Sequence, residues 1–414
     1  MRPDYIPVIV LVLVFALIAV RQVGSLKLRI WQIMLVGASA VLVTGRITPV
    51  EALRSVNLDV MLFLFGMFVV GEALVESGYL YHLSFGLFKR ARSADALVLM
   101  VLFIMGFFSS FLMNDTVAVI GTPLVLYFSK KHGISGKLLL LALCFAVTTG
   151  SVVSPIGNPQ NLLIAIGGNI PNPFMTFFRY LFFPTVVNLF MAYILLKLFY
   201  GKEFHSRPLD NVREVIKDKG LAFLSKISLW IIFTLVVLKV IAVFTGWADF
   251  RLTYIAVGAA LPVLVFSPKR LKVLKRIDWH TLVFFAALFV FMESVWRSGA
   301  LQYLLNGYGG DLAAVEPILI ISAVGSQLLS NVPFVALYLP VLTHIGTGVK
   351  GLSALAAGST VAGNLLVLGA ASNIIVIQNA EKRGQTLTFY EFARVGVPLT
   401  AINVIVYWVF FRVM

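Results

Sequence analysis

The chain has 414 residues, of which 60% are hydrophobic and 12% are charged, and its formal net charge is +15. Soluble domains carry about 25% charged residues, so the composition excludes a soluble protein and indicates a polytopic membrane protein. The single cysteine, Cys144, excludes disulfide bonds within the chain and metal clusters built on cysteine. Basic loops account for the net positive charge, and no nucleic-acid partner is predicted.

Membrane-spanning helices need about 20 mostly apolar residues. The chain is predicted to contain ten of them, at 5–21, 28–45, 57–76, 137–166, 176–200, 226–245, 251–267, 279–297, 352–380 and 388–413. Two further apolar stretches, 95–130 and 312–346, each hold two short segments around a polar tip. Because each stretch is long enough to enter the membrane and return, we expect two re-entrant helical hairpins.

The basic residues orient this arrangement. With the N-terminus outside, the inward loops carry about three times as many Lys and Arg residues as the outward loops, as the positive-inside rule requires. We therefore expect a multi-pass protein of the plasma membrane with both termini extracytoplasmic. The first hairpin enters from the cytoplasm and the second from outside.

An internal repeat divides the chain. Asn57–Gly78 resembles Asp278–Gly299, and Gly157–Asn161 aligns with Gly369–Asn373. The predicted halves are 1–200 and 226–414, joined by a cytoplasmic linker at 201–225. Each half has five spans, and an odd number inverts the second half relative to the first. The predicted fold class is an all-α polytopic membrane protein with two inverted repeats, each of five spanning helices (one broken) plus one re-entrant hairpin. This pattern is typical of secondary transporters whose site lies near the bilayer midplane.

The first hairpin tip places Asn114, Asp115 and Thr116 in apolar surroundings. An Asp at the bilayer centre costs about 2.5–3.5 kcal/mol, so Asp115 is a candidate functional residue. Its counterpart in the second half is Val332. Asp115 is also suited to cap the helix that follows the tip, and the two roles are compatible.

Two spans are predicted to be broken. Pro159 cannot continue a helix, so the first should stop near Ser154 and restart near Gln160. The matching break lies near Gly369 and has no proline. Four helix N-termini should therefore converge, two behind the hairpin tips and two at the breaks. Their free N–H groups favour an anion, whereas exposed carbonyl and side-chain oxygens suit a hard cation such as sodium.

The candidate binding residues lie at the two hairpin tips and the two breaks. Substrate or ion binding is predicted for Asn114, Asp115, Thr116, Gly157, Asn158, Gln160, Asn161, Ser330, Asn331, Gly369, Ser372 and Asn373. A sodium ion is expected at Asn114, Asp115, Asn158, Asn331 and Asn373, and no other cofactor is predicted. Other charged or titratable residues are interpreted as structural, including Glu72, Glu293 with Arg297, and His280 near an interface.

Three segments carry a family resemblance: LMNDTVAVIGTPLVL, SPIGNPQNLLI and GNLLVLGAASNIIVIQNAEKRG. They resemble the ion transporter superfamily, closest to its branch of arsenite permeases, NhaD-type sodium–proton antiporters and anion permeases. The divalent anion–sodium symporters and the citrate carriers are more distant relatives. The resemblance implies a homodimer and an elevator motion, in which the domain that bears the hairpins slides against a dimer-forming scaffold.

The hairpin tips depart from the symporter branch, whose tips carry a Ser-Asn-Thr motif. Asn114 and Asn331 match the motif, but the first tip lacks its Ser and the second lacks its Thr. The departure argues against dicarboxylate–sodium symport. The Asn-Asp pair is more similar to the arsenite permease and antiporter branch.

The leading hypothesis is a secondary active transporter of an inorganic or organic anion or oxyacid, arsenite-like, coupled to protons or sodium. A sodium–proton antiporter is the alternative, although only one deep carboxylate is found, and a passive channel is a remote one. An enzyme is not predicted, because no catalytic constellation or nucleotide-binding loop is present. The sequence leaves open the substrate, the coupling ion, the stoichiometry and the direction.

Overall fold

The structure, a computed structural model, describes residues 4–20, 22–23, 26–27, 29–88, 91, 93–204, 218–245, 250–300 and 313–414. These residues are almost entirely helical. The exception is a pair of short antiparallel strands, β1 (Gln22–Val23) and β2 (Leu26–Lys27), between the first two helices.

The helices of the first half are α1 (Ile6–Val20), α2 (Ile30–Val43), α3 (Pro49–Ser55), α4 (Leu58–Ser77), α5 (Tyr79–Phe88), α6 (Ala94–Met100), α7 (Gly106–Phe111), α8 (Asn114–His132), α9 (Gly136–Ser151), α10 (Pro159–Gly167) and α11 (Pro173–Tyr200). A π-helical turn, Val101–Met105, joins α6 to α7, and a 3₁₀ turn, Gly201–Glu203, follows α11.

The helices of the second half are α12 (Lys219–Thr245), α13 (Leu252–Phe266), α14 (Arg270–Arg276), α15 (Trp279–Arg297), α16 (Val315–Leu329), α17 (Asn331–His344), α18 (Val349–Val361), α19 (Ala371–Glu381) and α20 (Phe389–Val413). Two 3₁₀ turns, Ala362–Asn364 and Val367–Gly369, lie between α18 and α19.

Six helical stretches among the described residues are long and apolar enough to cross a membrane: Leu58–Ser77, Ala94–Phe111, Pro173–Glu203, Lys219–Ala242, Trp279–Arg297 and Phe389–Val413. The predicted spans at α1, α2 and α13 are apolar but shorter, with 15, 14 and 15 residues. At 1.5 Å per residue such helices measure roughly 21–23 Å, less than the hydrocarbon core of about 30 Å. The chain is an all-α polytopic membrane protein, which confirms the predicted fold class.

Both hairpins have a sharp tip, and both broken spans stop and restart. In the first hairpin, α7 ends at Phe111 and α8 begins at Asn114, and in the second only Ser330 separates α16 from α17. The first break begins earlier than Ser154, because α9 ends at Ser151. The reason is local: side-chain amides near the break bind the carbonyl groups that a continuous helix would use.

The linker expected at 201–225 is shorter than predicted, because α12 begins at Lys219. Asp218 caps this helix, and its carboxylate accepts a hydrogen bond from the Leu221 N–H at 2.9 Å. Ser225, placed in the linker from its polar neighbours, is buried and lies 3.5 Å from Ser77 across the helix contact. Residues 205–217 of the linker lie outside the described residues.

The helices form two groups. The span group comprises α1, α2, α4, α12, α13 and α15, in which α4 packs on α13, α2 packs on α15, and α12 packs on α13. The hairpin group comprises α6–α11 and α16–α20, which are the two hairpins, the two broken spans and the last span of each half. Inside it, α8 packs on α9, α16 on α18, and α11 on α20.

Contacts between the halves occur in matching pairs. The third span of each half, α4 or α15, packs on the second span of the other half, α13 or α2. In the same way, α8 packs on α19, and α17 packs on α10. This reciprocity is what a pseudo-two-fold relation between two halves produces, and it brings the tips and the breaks into one region.

Candidate functional site

A cavity of about 520 Å³ lies between the two helix groups. The hairpin group supplies Asn114, Asp115, Pro159, Gln160, Ser330, Asn331, Val332, Pro333, Ala370, Ala371 and Gln378 to its wall. The span group supplies Arg29, Ile30, Trp31, Asp278, His280, Thr281, Phe284 and Phe285. Five of the predicted binding residues therefore line one cavity: Asn114, Asp115, Gln160, Ser330 and Asn331.

Four helix N-termini meet at this cavity. The helices α8, α10, α17 and α19 begin at Asn114, Pro159, Asn331 and Ala371, and each of these residues lines the wall. A helix N-terminus carries about half a positive charge and N–H groups without partners within the helix. The hairpin-group wall is therefore suited to an anion or to the oxygens of an oxyacid.

Each hairpin tip is strained and tied to a break in its own half. Met113 and Ser330, which directly precede α8 and α17, have positive φ angles of 49° and 68°. Such angles are uncommon for residues other than glycine and persist where the surroundings impose them. At the first tip, the Asn114 backbone N–H donates to the Gly157 carbonyl at 2.9 Å.

The second tip is tied by a side chain. The Asn331 amide nitrogen donates to the carbonyl oxygens of Ser359 and Gly369, each at 3.1 Å, in the amide orientation that satisfies these groups. The two contacts hold the tip against the end of α18 and the start of α19. Gly157 and Gly369, predicted as binding residues, thus accept hydrogen bonds from the two tip asparagines.

The first break is held by buried amides. The Asn161 amide nitrogen donates to the carbonyl oxygens of Ser151, Val152 and Ser154 at 3.1, 3.2 and 3.0 Å. The Asn158 side-chain oxygen accepts from the Asn161 N–H at 2.9 Å and so caps α10. Both side chains are fully buried and bind groups at the break and the Thr360 hydroxyl of α18 instead of lining the cavity.

The second break has a related contact and more unpaired oxygens. The Asn373 amide nitrogen donates to the Gly363 carbonyl at 2.7 Å. The Asn373 Oδ1 and the Ser372 Oγ are buried and have no hydrogen-bond partner among the described residues. Oxygen ligands of this kind suit a hard cation.

Asp115 and Thr116 point in different directions from the start of α8. Asp115 lines the cavity, and its Oδ1 is buried with no hydrogen-bond partner in the described part of the chain. Thr116 packs on α4 instead, since a Cβ added at Gly71 would lie 2.6 Å from the Thr116 Oγ1. Of the polar residues at the first tip, Asn114 and Asp115 face the cavity.

The span-group side of the site was not predicted from the sequence. His280, interpreted as an interface residue without a transport role, lines the cavity and stacks on Trp31, with 4.8 Å between ring centroids. The Arg29 Nη1 lies 3.4 Å from the His280 Nε2. Asp278 caps α15 by accepting hydrogen bonds from the Thr281 N–H at 3.0 Å and the Thr281 hydroxyl at 2.6 Å. The one feature of the sequence that could have indicated this side of the site is the clustering of ionisable and aromatic residues at the starts of α2 and α15.

Comparisons with known proteins found similar sequences and a similar fold. An uncharacterised transporter of Mycobacterium tuberculosis (strain H37Rv) is 26% identical over 96% of this chain and 96% of its own length. The human P protein is 22% identical over 88% of this chain and 54% of its own length. The crystal structure of the Alcanivorax borkumensis YdaH transporter covers 99% of this chain and 97% of its own, with a TM-score of 0.57 at 14% identity.

The fold and the cavity define a polytopic membrane transporter. The family model described as Citrate transporter matches residues 9–362, and the chain belongs to this family. The match confirms the resemblance to the ion transporter superfamily.

Proposed function

We propose that the chain is a secondary active transporter of an inorganic or organic anion or oxyacid, coupled to protons or sodium. The observation that carries the proposal is the meeting of four helix N-termini on one cavity between two helix groups. This arrangement supplies N–H groups for substrate oxygens on a hairpin-group wall whose lining residues include no Lys or Arg. The description of the family as citrate transporters supports an organic anion as substrate.

The coupling ion is proposed to bind beside the substrate at the two tips and breaks. The unpaired Asp115 Oδ1 supports this placement, because a carboxylate oxygen at depth is suited to a proton or a sodium ion. Amide oxygens of Asn114, Asn158, Asn331 and Asn373 are the further sodium ligands proposed. In the present structure the Asn158 oxygen caps α10, so its participation requires that contact to rearrange.

An elevator motion fits the position of the cavity. Because the tips and breaks belong to the hairpin group and the opposite wall belongs to the span group, sliding of one group past the other moves the site across the membrane. We propose that the hairpin group moves and that the span group forms a homodimer in the plasma membrane, with both termini extracytoplasmic. The proposed repeats are residues 1–200 and 226–414.

A sodium–proton antiporter is the second candidate, and Asp115 favours it. A carboxylate on the cavity wall with an unpaired oxygen is suited to bind a proton or sodium in exchange. In that case the four helix N-termini would have no anionic substrate to bind.

The test uses the purified full-length protein in liposomes that contain a pH-sensitive dye. A sodium gradient is applied alone, followed by arsenite, sulfate, phosphate, succinate and citrate in turn. The proposal predicts no proton movement with sodium alone and uptake of one class of solute. The dye reports this uptake if protons are coupled to it, and radiolabelled solute reports it if sodium is. Proton movement with sodium alone would identify an antiporter and contradict the leading proposal.

A further inference from the structure

We propose that Arg29 and His280, on the span group, form a stationary subsite for the negatively charged oxygens of the substrate. The inference rests on the proposed transport function and deepens it, because it selects an anion over a neutral oxyacid such as arsenous acid. A carboxylate and an inorganic oxyanion share the chemistry that this subsite recognises.

The geometry of the subsite is defined by an aromatic stack. The His280 ring stacks on Trp31 with an interplanar angle of 8°, which fixes the orientation of the imidazole. The Arg29 Nη1 approaches the His280 Nε2 at 3.4 Å. This contact uses one edge of the guanidinium and leaves its other N–H groups for a carboxylate or an oxyanion. All three side chains line the cavity that the tip asparagines line from the opposite wall.

The second half of the chain has an arginine at the position that matches Arg29, and this arginine does not line the cavity. Arg251 directly precedes α13, as Arg29 directly precedes α2, the matching helix. The Arg251 Nη1 bonds the Asp59 carboxylate at 3.1 Å, and Asp59 aligns with His280 in the internal repeat. A carboxylate thus neutralises the arginine in one half. In the other half a histidine stands in its place, and Arg29 has no carboxylate partner among the described residues.

Two carboxylates also line the cavity, and among the described residues neither forms an ion pair with Arg29. The Asp278 carboxylate accepts two hydrogen bonds from Thr281 at the start of α15. Asp115 lies on the hairpin group, where the coupling cation is proposed to bind. The Arg29 guanidinium therefore remains a cation exposed to the cavity and available to an anionic substrate.

The subsite lies on the helix group that stays stationary in the proposed elevator motion. Its effect on the affinity for the anion should therefore differ between the two sides of the membrane. Arg29 and His280 contact the substrate only while the hairpin group presents the cavity to them. They should therefore raise the affinity for the anion on one side of the membrane and leave the other side unchanged. The tip residues travel with the substrate and should affect both sides.

The experiment compares right-side-out and everted membrane vesicles from cells that express the full-length protein. Initial rates with radiolabelled citrate, succinate, sulfate and arsenite give KM on each side. We expect Arg29→Gln to raise KM for the transported anion roughly tenfold on one side, the lower end of the effect of a lost charge-assisted hydrogen bond. On the other side KM should change less than twofold.

Two variants control for damage to the fold. His280→Asp rebuilds on the cavity side the ion pair that Arg251 makes with Asp59, so it should raise KM on the same side while preserving the helix contact. Arg251→Gln removes an arginine at the matching position away from the cavity and should leave KM unchanged on both sides. Size-exclusion profiles verify that each variant is folded.

The possible results separate the inference from the proposed function. An equal rise of KM on both sides with Arg29→Gln, or no rise on either, contradicts the inference alone. Transport of arsenite without any of the three anions also contradicts the inference and leaves a coupled transporter intact. The absence of transport of all four solutes by the wild-type protein contradicts both.

Discussion

At the scale of single residues, Asp115 is the group on which the chemistry depends. It lies at the first turn of α8, next to Asn114, and one of its carboxylate oxygens is buried without a partner among the described residues. A buried charge that is unpaired is costly, so a group that persists in this state is suited to bind a cation or a proton in the working protein.

Asp115→Asn keeps the size of the side chain but removes its charge. We expect solute uptake into liposomes to fall at least tenfold, or to lose its dependence on pH and sodium, while the protein remains folded. Asp95→Asn, at the start of the same hairpin where Asp95 pairs with Lys197, is the matched control and should retain uptake. Unchanged uptake with unchanged ion dependence in Asp115→Asn would contradict a role of Asp115 in binding the coupling ion.

Residues that break a local pattern were predictable, whereas residues that meet across the fold were not. A carboxylate within an apolar stretch and a proline within a span are visible in the sequence, and they identified Asp115 and Pro159. Arg29 and His280 are 251 positions apart, and no periodicity relates them. Whether an amide faces a cavity or binds a backbone carbonyl, as Asn161 does, also depends on side-chain direction.

At the scale of helices, α7 and α9 approach each other closely through Gly106 and Gly150. A Cβ added at residue 150 would lie 2.3 Å from the Gly106 Cα, a distance that real Cβ atoms do not show. Because the contact is with backbone atoms, no side-chain rotation relieves it. Small residues at such crossings let membrane helices pack closely, and here they hold the first hairpin on the broken span.

Gly150→Ala should therefore destabilise the hairpin group by about 1–3 kcal/mol through overpacking. The measurement is the midpoint of thermal unfolding in detergent, which we expect to fall. Gly86→Ala in α5 is the matched control, because a Cβ there meets nothing within 4 Å, and its midpoint should be unchanged or slightly raised. Equal midpoints for the two variants would contradict the close packing of α7 on α9.

Helix identity was more predictable than helix ends. Long apolar stretches predicted the spans, and a proline predicted the first break. The start of α12 was placed too late, because Lys219 and its polar neighbours resemble a linker until Asp218 is seen to cap the helix. The second break lacks a proline, and its two 3₁₀ turns follow from tertiary contacts such as the hydrogen bond from Gln327 to the Ala362 carbonyl.

At the scale of the whole molecule, the two helix groups meet at the cavity, and the elevator proposal predicts that this boundary moves. Thr281 on α15 and Val332 on α17 line the cavity from opposite groups. Cross-linking of the Thr281→Cys/Val332→Cys pair should change with the coupling ion or the substrate.

A pair within the hairpin group provides the control for this measurement. A Cβ at Gly167 on α10 would lie 3.0 Å from the Leu339 Cδ2 on α17, so the two positions are adjacent. Gly167→Cys/Leu339→Cys should therefore be joined equally in all conditions by a short bifunctional thiol reagent. If the pair across the boundary also cross-links to the same extent with every ion and solute, the two groups do not slide past each other.

The internal repeat made the fold class predictable, because the aligned segments implied two related halves. The division into a span group and a hairpin group was not visible in the same way. It arises because each half contributes helices to both groups, so that α4 packs on α13 and α17 packs on α10. Such contacts join residues that are distant along the chain, and they determine which side chains form the cavity walls.

The central claim is that the cavity at the four helix N-termini binds the transported solute. Ala371, the first residue of α19, lines this cavity and is exposed to it, so Ala371→Cys in a Cys144→Ser background should react with a hydrophilic maleimide. Lys382→Cys, exposed just beyond the end of the same helix, is the reference position.

The measurement is the rate of labelling of these two cysteines with and without citrate and sodium, followed by the other solutes of the transport panel. We predict that the solute that is transported slows labelling at position 371 at least fivefold and leaves position 382 unchanged. Equal labelling rates at position 371 with and without a solute that the protein demonstrably transports would contradict the assignment of this cavity as the binding site.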